Sequence, residues 1–261
     1  MKQTAPKPTI YLRNNFTVLK NRESDFFYGN EKLLRTTLDS WTLVASCGLR
    51  SISTEAKCNE PSVPAMNIWK LAEWDTLYNT IFALSETEWY RRLGSTLGGE
   101  QQDFLVGVLA DNGDCRRPPW KGDTEPGYAY LYEEAFPVPG EVHNYLRDLN
   151  WFTAQVAGAE FGWRRAWTAT HITAQPSLIS VLWRVPSVES IERTLSYISS
   201  QSHYSTRYSK MMDSLRDLKR TNYFPIYGER LDERIRNGEA SIIKRDVSSS
   251  GGISITSKGA I

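Results

Sequence analysis

Alternation of side chains marks the stretch Tyr128 to Phe136 (YAYLYEEAF) as a strand, because successive residues of an extended chain face opposite sides. A helical period follows at 140–157. There Val142, Leu146, Leu149, Phe152 and Val156 step by four, three, three and four residues, which places them on one face. His143, Arg147, Asn150 and Ala154 fall on the opposite side. Two further strand-like runs come next, Trp163 to His171 and Ser177 to Val185, and then a second helix with Val188, Ile191, Leu195 and Ile198 as its stripe. Pro186 and Ser187 mark its start, with the serine hydroxyl placed to cap the first turn. A helical segment over 205–218, with Met211, Met212, Leu215 and Leu218 on its apolar face, leads to a last strand at Tyr223 to Tyr227. Pro225 argues that this strand is short or lies at an edge.

The first half of the chain has the same order: strand 10–18, helix 23–38, strands 41–50 and 66–74, helix 76–93, strand 104–109. The spelling is therefore β-α-β-β-α-β, twice. One four-stranded sheet with helices on a single face leaves its other face bare, and two such sheets in one chain can cover each other. Residues 111–127 (DNGDCRRPPWKGDTEPG) hold three prolines and three glycines and read as the linker between halves. The expected organisation is an arm at 1–9, a first repeat at 10–110, the linker at 111–127, a second repeat at 128–245 and a disordered Ser/Gly-rich tail at 246–261. The polar connection over 51–65 is either a lid over one end of the fold or a tolerated surface insertion.

These elements resemble the dimeric α+β barrel superfamily, and within it the NIPSNAP-type proteins. The residues that carry the resemblance are the opening strands IYLRNNFTV and YLYEEAFPV and the strand pairs GWRRAWTATH and LISVLWRV. The resemblance implies an α+β fold in which two ferredoxin-like repeats pack their antiparallel sheets into one pseudo-dimeric barrel. It also implies a family that includes cofactor-independent monooxygenases, polyketide cyclases, isomerases, haem enzymes and proteins of unsettled role. Fold alone leaves function open.

Composition narrows this little. Hydrophobic residues at 40%, charged residues at 23% and a net charge of +1 describe an ordinary globular chain with no field to draw it to nucleic acid or anionic lipid. No run has the ~18–20 apolar residues of a membrane span, and the first residues lack a secretory core. Cys47, Cys58 and Cys115 have no zinc-like spacing and fit reduced thiols in a cytoplasm. Nine Trp and thirteen Tyr supply large surfaces with polar tips, for core packing or for a ligand pocket. GxGxxG, Walker, GxSxG and HExxH motifs are absent, so NAD, ATP and zinc chemistry are disfavoured.

Strand alternation nominates a site. Ile179, Val181, Trp183 and Val185 form an apolar face that suits covering helices, so Ser180, Leu182 and Arg184 point to the interior. By the same logic Tyr130, Tyr132 and Glu134 face inward, and so do Arg165, Trp167 and His171. Trp69 is the candidate from the first half. His171, Glu134 and Tyr132 are the expected catalytic groups: imidazole and carboxylate can move a proton, and phenol can donate to a carbonyl. Tyr130, Arg165, Trp167, Arg184 and Trp69 would bind substrate, the arginines by holding an anionic group. The competing readings are a solvent-facing His171 and a Glu134–Arg184 ion pair that fixes packing. No metal or cofactor is expected; haem held by His171 or His203 is the alternative. The expected function is proton-transfer chemistry on a small apolar or aromatic molecule (cyclisation, isomerisation or cofactor-independent oxygenation), in a cytoplasmic monomer or homodimer without nucleic-acid or membrane partners. A non-catalytic binding protein is the other reading.

Overall fold

The computed structural model of the chain describes residues 9–20, 22–37, 41–48, 62–71, 73–108, 129–172, 178–225, 245–247 and 253–255. The expected linker, residues 51–61 of the 51–65 connection and the arm before Thr9 lie outside them. The element order is β1 (Ile10–Leu19), α1 (Glu23–Thr37), β2 (Trp41–Gly48), β3 (Ser62–Leu71), α2 (Trp74–Ser85), α3 (Glu88–Gly94), β4 (Leu97–Gly107), β5 (Ala129–Pro137), α4 (Val142–Phe152), α5 (Gly158–Phe161), β6 (Arg164–His171), β7 (Ile179–Val185), α6 (Val188–Ser200), α7 (Ser202–Asp213) and β8 (Leu215–Pro225). A short antiparallel pair, β9 (Arg245–Val247) and β10 (Ile253–Ile255), follows. The eight long strands are hydrogen-bonded neighbours in the order β1-β3-β2-β8-β5-β7-β6-β4. The expected α+β class with an antiparallel sheet is what the chain adopts. No helix among the described residues is long and apolar enough to cross a membrane.

The chain divides into two compact units. One comprises, among the described residues, 9–12, 103–108, 129–172 and 178–221; the other comprises 13–102 and the residues from 222 onward. In the first unit β7 is the organising strand. All seven of its residues (ISVLWRV) are buried, as expected of a strand covered on both faces. It pairs with β5, Tyr130 opposite Arg184 and Glu134 opposite Ser180, and on its other edge with β6, Ala169 opposite Ser180. The register of β6 shifts between Arg165 and Trp167, a β-bulge that reverses which face the residues before it occupy.

α4 covers one face of this sheet. Its buried line is Tyr145, Asp148, Leu149 and Phe152, so the inward face centres on Tyr145 rather than on the Val142–Leu146 edge of the predicted stripe. The outward residues are as expected, with His143, Arg147 and Asn150 exposed. Phe152 meets Trp163 and Trp183 edge-on at 6.1 and 5.8 Å, which puts Trp183 on the helix-covered face, also as expected. The helix then widens into a π turn at Thr153–Ala157, closed by Gly158 N–H donating to Thr153 O. A Cβ at Gly158 would lie 2.6 Å from that carbonyl oxygen, so this close approach requires glycine. At α6 the Ser187 hydroxyl accepts from Ser190 N–H at 3.2 Å, the predicted cap.

Two predicted elements differ. The helix over 205–218 stops at Asp213, where Ser214 N–H bonds Met211 O, and Leu215 and Leu218 belong to β8 instead. β8 is thus described over eleven residues, Leu215–Pro225, rather than as a short strand from Tyr223; positions 226 and 227 of the expected strand lie outside the described residues. Strand pairing outweighs the local period here: Ser214 O accepts from Val138 N–H at the end of β5. The helix expected over 76–93 breaks into α2 and α3. The Ser85 and Thr87 hydroxyls bond the carbonyls of Phe82 and Leu84, local bonds that compete with the helix ladder.

In the second unit Trp41 and Trp69 meet edge-on at 5.6 Å, and Phe16 packs on Phe26 at 5.4 Å. A buried ring of hydrogen bonds joins α1 to β2 and β3: Asn67 Nδ2 donates to Asn30 Oδ1 at 2.8 Å, Ser46 Oγ to Asn67 Oδ1 at 2.7 Å and Asn30 Nδ2 to Ser46 Oγ at 3.4 Å.

Candidate active site

The face of β5, β6 and β7 turned away from α4 carries three cross-strand rows. Tyr130 pairs with Arg184, Tyr132 with Leu182 and Trp167, and Glu134 with Ser180 and Ala169. His171 follows two residues beyond Ala169 on the same face. These rows join into one chain of hydrogen bonds. Tyr132 Oη donates to Glu134 Oε1 at 3.1 Å and lies 3.0 Å from Ser180 Oγ, which is 3.4 Å from His171 Nε2.

The direction of that chain follows from donor counting. A carboxylate only accepts, so the single phenol proton goes to Glu134. With the phenol proton on Glu134, the assignment that uses every contact has Ser180 donating to Tyr132 Oη and His171 Nε2 donating to Ser180 Oγ. Tyr132 and His171 are each 6% exposed and Ser180 is wholly buried, while Glu134 is half-buried. A proton taken up by the imidazole can therefore leave along Ser180 and Tyr132 to a carboxylate at the wetter end.

Trp167 is fully buried on this face, with Tyr11 edge-on at 5.8 Å. Its indole Nε1 has no acceptor among the described residues. Tyr130 and Arg184 are also buried here. In the register Arg184 stands opposite Tyr130 and Glu134 opposite Ser180.

The structure thus brings the three residues expected to be catalytic onto one hydrogen-bonded row, with Tyr130, Trp167 and Arg184 on the same face. It does not bring Arg165 there. The bulge turns Arg165 toward α4, where Nη1 donates to Asn150 Oδ1 at 2.8 Å and Thr153 Oγ1 at 3.1 Å. Trp69 belongs to the second unit and packs on Trp41. Ser180, not among the expected site residues, is the link between His171 and Tyr132. Its signal was its alternation with Arg184 on β7.

The helix-covered face holds a separate charged network. Glu133 accepts from Trp183 Nε1 at 2.7 Å and from Arg220 Nε at 2.8 Å, and Arg220 also donates to Tyr208 Oη at 2.9 Å. Burial, and then the Glu133 charge, push the Tyr145 phenol well above its ordinary range. Glu133 and Tyr208 hold the Arg220 guanidinium firmly protonated against its burial. Among the described residues no three His, Cys, Asp or Glu side chains gather as a metal site would.

No protein-family model matches the chain, and no curated protein matches its sequence. Its fold is similar to solved structures. A provisionally designated monooxygenase from Fusobacterium nucleatum aligns over 84% of this chain and 92% of its own, with a TM-score of 0.59 and 9% identity. A second from Lactobacillus acidophilus aligns over 83% and 93%, with a TM-score of 0.58 and 9% identity. The chlorite dismutase of Candidatus Nitrospira defluvii, solved in complex with imidazole, aligns over 90% and 97%, with a TM-score of 0.50 and 11% identity. At these identities the likeness concerns the fold.

Proposed function

We propose that this chain is an enzyme that acts on a small, largely apolar or aromatic molecule by proton transfer, in a cyclisation, an isomerisation or a cofactor-independent oxygenation. The observation that carries the reading is the buried chain His171–Ser180–Tyr132–Glu134. His171 is the general base, Ser180 and Tyr132 relay the proton, and Glu134 returns it to water. Trp167 Nε1 offers a buried donor to a carbonyl or enolate oxygen of the substrate. Fold likeness to two provisionally designated monooxygenases supports the oxygenation arm. The two β-α-β-β-α-β passes support an internal duplication of a NIPSNAP-like unit, and partners are then a small-molecule substrate with or without a second copy of the chain.

Native mass spectrometry of the protein purified from its host identifies a retained small molecule, which then serves in turnover assays. His171→Ala, Ser180→Ala, Tyr132→Phe and Glu134→Gln should each slow turnover by roughly 10²–10⁴-fold where the group moves the proton. Full turnover in all four, with unchanged circular dichroism, sinks the assignment.

Haem in the same place is the second reading from the family resemblance, and the residues present do not fit it. His143 and His203 stand exposed on α4 and α7, and His203 packs on Tyr204 at 3.9 Å. His171 Nε2 faces Ser180 Oγ. Titration with hemin checks this point: no Soret shift should appear.

A further inference from the structure

A groove of about 320 Å³ lies between α4 and α7, on the helix-covered side of the first unit. Arg147, Asp148, His203, Thr206, Arg207 and Lys210 line it. Positions 203, 206, 207 and 210 are three and four residues apart, so α7 presents them as one stripe. Three permanent cations face one carboxylate, a surplus of positive charge that no mechanism at the other face of the sheet uses.

The two arginines are surface side chains, 57% and 44% exposed, anchored on a buried carboxylate. Asp148 is 6% exposed and sits at the floor, contacted by Arg147 Nη2 and Arg207 Nη2 at 3.3 Å each. Arg147 Nε also donates to Asp148 Oδ1 at 3.4 Å, so one carboxylate takes three of the ten N–H donors that two guanidinium groups carry and leaves the rest for a ligand. Arg207 also lies over the Trp151 ring, 4.4 Å from its centroid, and Trp151 packs against Tyr204. A guanidinium set over an aromatic face and tied at one nitrogen to a carboxylate keeps further N–H donors to offer as a fork to a tetrahedral oxyanion.

We propose that this groove is a binding site for a phosphate-bearing ligand, with Arg207, Arg147 and Lys210 on the phosphate oxygens and the remaining volume open to the group the phosphate is attached to. A dianion matches the surplus of two charges better than a lone carboxylate does. The source is either a soluble phosphate ester or a phospholipid headgroup.

Isothermal titration of the full chain with pyrophosphate, in low salt, tests the shared chemistry. One molecule should bind per chain. Arg207→Gln should weaken binding by roughly tenfold or more, and Lys210→Gln by several-fold, as for loss of a charge-assisted contact. Arg193→Gln, an exposed cation on α6, should leave it unchanged. Lys210→Gln keeps the test valid if Arg207→Gln disturbs the Trp151 packing. A parallel sedimentation assay uses phosphatidylcholine vesicles with and without phosphatidic acid. Binding only to pyrophosphate assigns the soluble source, and vesicle binding that pyrophosphate displaces assigns the headgroup. No saturable binding in either assay, or equal loss in Arg193→Gln, overturns the proposal.

Discussion

Glu133→Gln isolates the charged network beneath α4. The carboxylate, on a residue 6% exposed, accepts from a buried indole N–H and from Arg220, whose side chain is 35% exposed. Glutamine keeps the shape but offers one acceptor oxygen instead of two. If that oxygen stays with Trp183, the loss is the Arg220 bond. Arg220 keeps Tyr208 and reaches water, so solvent screening limits the loss to about 1 kcal/mol. If the oxygen turns to Arg220, Trp183 Nε1 is buried opposite an NH₂ group at a cost of about 1–3 kcal/mol. The chain takes the cheaper arrangement, and a destabilisation of about 1 kcal/mol is expected. For a chain of this size that corresponds to a fall in Tm of roughly 2–4 °C.

Urea unfolding followed by circular dichroism should show a lower midpoint at unchanged slope. Trp183→Phe removes the indole donor, so Glu133→Ala should cost about 1 kcal/mol less in that background than in the native chain. The cycle Glu133→Ala against Trp183→Phe should therefore show a coupling of about 1 kcal/mol. A coupling within about 0.3 kcal/mol of zero would mean that the 2.7 Å contact carries no specific energy, and the reasoning would fail.

Gly158→Ala should destabilise by about 1–3 kcal/mol in the same urea assay, because its methyl group meets Thr153 O in the π turn. Ser187→Ala removes the α6 cap and should cost about 1 kcal/mol. It should also raise the Glu189 carboxyl, which its own backbone N–H and the Ser187 hydroxyl now hold below the usual range; an NMR titration of Glu189 reads this. Burial pushes the Cys47 thiol far above its ordinary value, so in a Cys58→Ser/Cys115→Ser background it should resist a thiol reagent until urea unfolds the chain. The native state then keeps a proton that the unfolded state releases. The Cys47 contribution to stability is thus full below the ordinary thiol range and declines as pH rises above it.

Periodicity alone determined most of the elements. β7 reads as a strand because ISVLWRV is β-branched and apolar, and α6 reads as a helix because Ser187 and a four-three stripe are local properties of the chain. Alternation also placed Tyr130, Tyr132, Glu134 and Arg184 on one face, since pleating sets that parity without reference to neighbours. Pairing decided the rest. A one-residue register shift in β6 sent Arg165 to α4 while leaving Trp167 and His171 on the other face, and no pattern within RRAWTATH encodes a bulge. The strand beginning at Leu215 overrode a helical spacing because β5 offered it a hydrogen-bonding edge. Ser180 became the link between His171 and Tyr132 only when three strands met in register. Faces are set by the few nearest dihedrals, whereas partners depend on which distant segment supplies the complementary atom.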